Sequence, residues 1–113
     1  MVSSEEILRR LAIADPASCR AVIAADPTDS PRVLDGRSMA LLCLGGSITA
    51  GTVGQVLRQR VTAALEAGVT FDQIVGSLLA LAPIIGTERL VTIAPELARA
   101  LDYDIDQALE RLD

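Results

Sequence analysis

The chain has 113 residues and a mass of 11.9 kDa, which is enough for one compact domain and too little for two. Half of its residues are hydrophobic and 22% are charged, so it can bury enough apolar surface to fold, and intrinsic disorder is excluded. A net charge of -5, no lysine and only two aromatic residues exclude the basic patches and stacking platforms of nucleic-acid-binding proteins.

Histidine is absent, which excludes Ser-His-Asp and Cys-His catalysis and zinc sites with histidine ligands. The two cysteines, Cys19 and Cys43, form no CxxC motif and are expected to be reduced, unreactive and packed among apolar residues. No metal and no cofactor is therefore predicted.

The sequence predicts a cytoplasmic protein without a membrane partner. Acidic residues stand at the N-terminus, where a signal peptide carries basic charge. The uncharged stretch Ser38–Leu57 is long enough to cross a bilayer, which is the alternative interpretation. Its four glycines favour two helices joined by a glycine turn, with Thr52 as the cap of the second.

Helical periodicity recurs along the chain and strand alternation is nowhere sustained, so the sequence predicts an all-α fold. A capping box of Ser3 and Glu6 opens the first helix. Asp15-Pro16 ends that helix and caps a second one, which runs to about Ala25. Residues 26–31 are dense in Asp, Pro, Ser and Thr and are interpreted as a linker.

The main body is expected to begin at residue 33. Asp35 caps an apolar core helix, and Gly68 ends the helix after it. Thr70 and Gln73 form a capping box for the next helix, which proline and glycine at 83 and 86 end or kink. Thr87 opens another helix with a bend at Pro95, and a last turn or two follows Asp104. The prediction is a compact bundle of about seven helical segments in one domain, 1–113, with N-terminal helices and linker at 1–31 and a core at 33–101.

The mean hydropathy of +0.41 is high for a small soluble monomer. We therefore expect apolar surface to be buried between copies of the chain in a homo-oligomer. A well-packed monomer with an apolar surface is the alternative.

The residues from Val33 to Leu101 resemble the carboxymuconolactone decarboxylase and alkylhydroperoxidase D-like superfamily. The matching elements are Leu34-Asp35 at the start of a core helix, the segment 57–70, and the following Ile74 helix that closes at Gly86. The end of that segment, Ala-Ala-Leu-Glu-Ala-Gly-Val-Thr over residues 63–70, is the most specific part.

The resemblance implies an all-helical fold that assembles as trimers or hexamers. The family's two cysteines fall on Val53 and Val56, its histidine on Arg60, and its upstream glutamate near Leu41. Thiol peroxidase activity is excluded because no dithiol is present. The decarboxylase histidine is also replaced, and arginine stays protonated at neutral pH, so it can bind and stabilise anions without transferring protons.

Arg60 is the main candidate functional residue, because it interrupts an apolar stripe of helical spacing. One interpretation gives it a carboxylate of this chain or of a neighbouring subunit, or lets it snorkel to solvent. The other gives it a small hydrophobic carboxylate, in a pocket formed with Val56, Val53 and Leu41.

Two functions remain open on the sequence. The first is a cofactor-free lyase, decarboxylase or isomerase that acts on a small hydrophobic lactone or carboxylate. The second is a catalytically silent member of the family that binds a small ligand or a partner protein. No residue identifies the proton-transfer group that the first requires, since Glu66 and Glu88 cannot be placed relative to the pocket.

Overall fold

The structure, a computed structural model, describes residues 3–25 and 33–103 together with residues 107 and 110. These residues form helices and turns and no strand, so the all-α prediction is confirmed. In chain order the helices are α1 (Ser4–Ala12), α2 (Pro16–Ala24), α3 (Gly36–Ala50), α4 (Gln55–Glu66) and α5 (Phe71–Ala100).

The chain divides into two compact units, Met1–Val33 and Leu34–Asp113. In the first unit, α1 packs against α2, and none of its described residues, 3–25 and 33, is buried. The predicted caps are confirmed, since Ser3 Oγ accepts the N–H of Glu6 and the Asp15 carboxylate accepts the N–H of Ser18. The Glu6 side chain pairs with Arg9 at 2.6 Å and with Arg10 at 3.0 Å instead of completing a capping box.

Two helices joined by a glycine turn occupy Ser38–Leu57, as predicted. Asp35 caps α3 by accepting the N–H of Ser38 at 2.7 Å, and α3 ends on Gly51 in the left-handed region, at φ 76°. The cap of α4 is Gly54, at φ 72°, and no side chain caps that helix. The assignment of Thr52 as the cap was therefore wrong, because a positive-φ glycine two residues later makes the turn into α4.

The connection from α4 to α5 has the structure that the sequence predicted. Gly68 adopts φ 94° just after α4, which is the left-handed end that its position predicted. Thr70 and Gln73 form the predicted capping box at the start of α5, with the Gln73 side chain accepting from the Thr70 N–H and Thr70 Oγ1 accepting from the Gln73 N–H.

The described residues form five helices, so the prediction of about seven helical segments was wrong. The last of these, α5, consists of two helices that meet at a kink at Gly86, whose angles of φ 82° and ψ 169° are not helical, so the break predicted there is present. Gly86 alone in α5 departs from helical angles, and Pro83 and Pro95 both lie inside the helix. The predicted turn after Asp104 and the linker at 26–31 lie outside the described residues.

The core of the second unit lies where α3, α4 and α5 pack against one another. Each helix contributes large apolar side chains that are almost completely buried, and one more comes from the turn before α5. The buried residues are Leu44, Ile48, Leu57, Val61, Ala64, Val69, Ile74, Leu78, Ile93 and Leu97. This packing fixes the positions of the side chains on α4.

Within the described residues, α5 is long and apolar enough to cross a membrane by length and composition alone. Its uncharged run, 73–87, ends at Glu88 and Arg89 in the middle of the helix. At about 1.5 Å per residue that run is shorter than the roughly 30 Å of a hydrocarbon core. The non-helical backbone at Gly86 falls in the same run, and lipid offers no partners to freed backbone groups.

Candidate functional site

Arg60 lies at the margin of the buried face of α4. Leu57, Val61 and Ala64 form that face and are almost fully buried. At 3.6 residues per turn, Arg60 projects about 60° to one side of Leu57. It is half-buried, as its place beside the apolar stripe requires.

The Nε atom of Arg60 is buried and has no hydrogen-bond partner among the described residues. Arg60 also forms no ion pair there; in the second unit the described ion pair joins Arg99 and Glu96, at 2.9 Å on α5. A buried N–H that has lost its water without gaining an acceptor is unfavourable, and more so when the donor is charged. The Nε–H group of Arg60 is thus a buried donor that has no acceptor among the described residues.

The two valines predicted beside Arg60 precede it along the chain. Val56 lies one turn earlier on α4, on the same side of the helix, and Val53 lies in the turn that precedes α4. Each of these valines is 46% exposed. Apolar surface of Val56 therefore remains open one helical turn before Arg60.

Leu41 lines a different part of the surface from the other three predicted site residues. It packs against the core from α3 and lines a groove of about 750 Å³ between α3 and α5. Arg60, Val56 and Val53 do not line that groove or the two other clefts described below. The shared pocket of all four residues stays a prediction.

Three clefts among the described residues of the second unit differ in character. The α3–α5 groove is mainly apolar, and its lining includes the small residues Gly45, Gly46 and Ala80. A cleft of about 320 Å³ is formed by the two ends of α5, and both aromatic residues of the protein, Phe71 and Tyr103, line it. The third cleft, of about 480 Å³, carries the charged side chains of Glu88 and Arg89.

Every described carboxylate whose pKa departs from its ordinary value has a lowered pKa. The side chain of Arg9, with Arg10, lowers the pKa of Glu6, and the Ser18 hydroxyl and backbone N–H lower that of Asp15. The backbone N–H of Ser38 is the main cause of the lowered pKa of Asp35. A lowered pKa makes a carboxylate a weaker base, so these caps and ion pairs are poor candidates for proton transfer.

The other candidates from the sequence are placed as follows. Glu66 and Glu88 are exposed, the first at the end of α4 and the second in α5. Cys19 and Cys43 are free and half-buried, and they belong to different units of the chain. Among the described residues, no three of His, Cys, Asp and Glu are grouped so that they could hold a metal ion.

Sequence reasoning missed the cleft with Glu88 and Arg89. Its signal was present, because these two charges interrupt the long apolar run of α5 directly after Gly86 and Thr87. What the sequence did not show is that Arg89 reaches the end of α3, where it donates to the carbonyl oxygen of Thr49.

Comparison of the chain with protein-family models, with curated proteins and with solved structures finds no match of any of the three kinds.

Proposed function

We propose that the protein binds a small hydrophobic carboxylate or lactone, with the Arg60 guanidinium as the anchor for its anionic group. The observation that carries this proposal is the buried Arg60 Nε without an acceptor in the described part of the chain. A carboxylate accepts two parallel N–H bonds from a guanidinium, so it suits this residue better than a neutral acceptor.

The surroundings of Arg60 favour a ligand with an apolar body. Val53 and Val56 are each 46% exposed, and Val56 lies one turn before Arg60 on the same side of α4. A ligand that paired its carboxylate with Arg60 and covered these side chains would remove apolar area from water at about 25 cal/mol per Å². Small polar anions such as sulfate would gain only the charged contact.

The activity we propose is that of a cofactor-free lyase, decarboxylase or isomerase of the carboxymuconolactone decarboxylase-like kind. The resemblance of residues 33–101 to that family supports the proposal. In such a reaction Arg60 would stabilise negative charge that develops on the substrate, since it stays protonated and transfers no proton.

Binding without catalysis is a second candidate function, and one observation favours it. In the described part of the chain no carboxylate forms an ion pair with Arg60, so no carboxylate is shown in contact with the proposed anchor. A catalytically silent ligand-binding protein needs no such group.

We also propose that copies of the chain associate, as trimers or hexamers by the family resemblance. Large apolar side chains such as Leu42, Leu79 and Ile84 are more than half exposed in the single chain. Association would cover them, and a neighbouring copy would also be able to supply the acceptor that Arg60 lacks.

The test is calorimetric titration of the protein with cyclohexanecarboxylate, for the wild type, Arg60→Met and Arg58→Met. Arg58 is the matched control, because it is an exposed arginine on the same helix. We expect Arg60→Met to weaken binding by about tenfold or more and Arg58→Met to leave it unchanged, since a hydrogen bond to a charged group contributes about 1.5–3 kcal/mol.

Two results would contradict the proposal. Equal binding by the wild type and Arg60→Met would remove Arg60 as the anchor. Absence of binding by the wild type, together with dissociation of the assembly in Arg60→Met, would show that the acceptor of Arg60 is a carboxylate of a neighbouring copy.

A further inference from the structure

A second candidate binding site lies in the cleft of about 480 Å³ between the end of α3 and the second half of α5. Small residues of the α3 end lie on one side, and α5 supplies both charged and apolar side chains. The lining residues are Ala50, Gly51, Ile85, Glu88, Arg89, Thr92 and Ile93. None of them belongs to the group around Arg60, so the cleft is independent of the function proposed above.

Arg89 is held in place at this cleft. Its Nη1 donates to the carbonyl oxygen of Thr49, one of the last carbonyls of α3, where a cation is favoured by the helix dipole. Gly51 makes room for it, because a Cβ at that position would lie 3.2 Å from Nη1. Among the described residues no carboxylate pairs with Arg89, so the guanidinium keeps N–H groups for an anion.

Glu88 brings the opposite charge to the same cleft. Consecutive helix residues do not face each other, and Glu88 forms neither an ion pair nor a side-chain hydrogen bond with the part of the chain that the structure describes. Thr92 Oγ1 donates to the backbone carbonyl of Glu88 at 3.0 Å, which leaves its oxygen lone pairs as acceptors. The cleft therefore offers one cation, one anion and one neutral acceptor.

We propose that this cleft binds a free α-amino acid with a short apolar side chain. The carboxylate would pair with Arg89, and the ammonium group would donate to the Glu88 carboxylate and Thr92 Oγ1. The apolar side chain would lie against Ile85, which lines the cleft and is only partly buried. Since the two charges of the cleft are unpaired in the described residues, a zwitterion satisfies both, whereas a simple anion or cation satisfies one.

The first experiment compares three probes of nearly equal size by calorimetric titration of the full chain carrying Arg60→Met, so that the carboxylate site proposed above does not contribute. L-Leucine carries both charges, 4-methylpentanoate only the carboxylate, and 3-methylbutylamine only the ammonium group. We expect leucine to bind at least about tenfold more tightly than either of the others. Equal binding of leucine and 4-methylpentanoate would overturn the zwitterion proposal, as would failure of leucine to bind.

The second experiment tests the residues. Glu88→Gln should weaken leucine binding about tenfold and leave that of 4-methylpentanoate unchanged, while Glu66→Gln, an exposed glutamate on α4, should alter neither. Glu88→Gln is the decisive variant, because it keeps the contact between Arg89 and α3. Unchanged leucine binding by Glu88→Gln would contradict the proposal.

Arg89→Met should abolish leucine binding. Arg60→Met should leave leucine binding intact, which separates this site from the one proposed above.

Discussion

Gly51 shows how one residue position joins two helices. It ends α3 with φ 76°, a conformation that glycine adopts without cost, and it leaves the space in which the Arg89 guanidinium contacts the last turn of α3. Both requirements act against any side chain at this position.

We predict that Gly51→Ala lowers the free energy of unfolding by about 1–2 kcal/mol from the left-handed backbone alone. Displacement of Arg89 adds to that loss. Urea denaturation followed by circular dichroism measures the change.

Gly46→Ala is the matched control, because Gly46 lies inside α3 and nothing within 4 Å would contact its new methyl group. It should raise stability by about 0.5–1 kcal/mol, the gain of alanine over glycine in a helix. Equal effects of the two substitutions would mean that neither the φ angle nor Arg89 constrains Gly51.

The sequence predicted where Arg60 lies on its helix but not which group pairs with its guanidinium. Helical spacing alone places it beside Leu57, Val61 and Ala64, and the structure finds it half-buried next to them. A partner of a guanidinium comes from another element, a ligand or another chain, and the spacing along one helix carries no information about these. Arg89 was missed for the same reason, since its contact with Thr49 joins residues 40 positions apart.

At the scale of the elements, the helix starts were the most predictable features. Asp15, Asp35 and Thr70 each cap the helix that the sequence assigned to them, because a cap depends on neighbours within three residues. The start of α4 was misplaced, since Gly54 replaces a side-chain cap by a backbone conformation. At Gly86 the sequence predicted a helix end or a kink, and the structure has a kink there between two helices that both pack on the same core.

The cap of α3 predicts a pH dependence. Hydrogen bonding from the backbone N–H of Ser38 lowers the pKa of Asp35 in the folded protein below the unfolded value of about 3.9. The stabilisation from the charged cap is therefore fully present above about pH 4 and is lost as the pH falls through the folded-state pKa. Melting temperatures measured between pH 2 and pH 7 follow this loss.

Asp35→Asn isolates this contribution, because asparagine also accepts the Ser38 N–H but does not titrate in this range. We expect the wild type to melt at a higher temperature than Asp35→Asn at pH 7, with the difference vanishing at low pH. A difference that is constant with pH would show that the charge of Asp35 does not stabilise α3.

At the scale of the whole molecule, apolar surface is the dominant feature. The sequence indicated it through a mean hydropathy of +0.41, and the structure locates it on side chains such as Leu42, Leu79 and Val91, which are more than 60% exposed. The two units differ in how much they bury. All residues of the buried core lie in the second unit, whereas no described residue of the first unit is buried. Composition predicts how much apolar surface a chain has but not what covers it.

We predict that the protein sediments as an assembly of several copies at micromolar concentration, with a mass well above the 11.9 kDa of one chain. Burial of the exposed leucines and isoleucines provides the driving force. Sedimentation velocity over a dilution series measures the mass, with dissociation expected on dilution. A single species of monomer mass at every concentration would contradict the prediction.

The most direct test of the Arg60 proposal observes the Nε–H group itself. Nitrogen-15 correlation spectra resolve arginine Nε–H groups, and Arg60→Met assigns the signal of Arg60 by its disappearance. On titration with cyclohexanecarboxylate, we expect this signal to move downfield to saturation, because a charged acceptor meets a buried donor that lacks one in the described chain. The signal of Arg58 should stay in place. An Arg60 signal that does not respond while the ligand binds would contradict its role as the anchor.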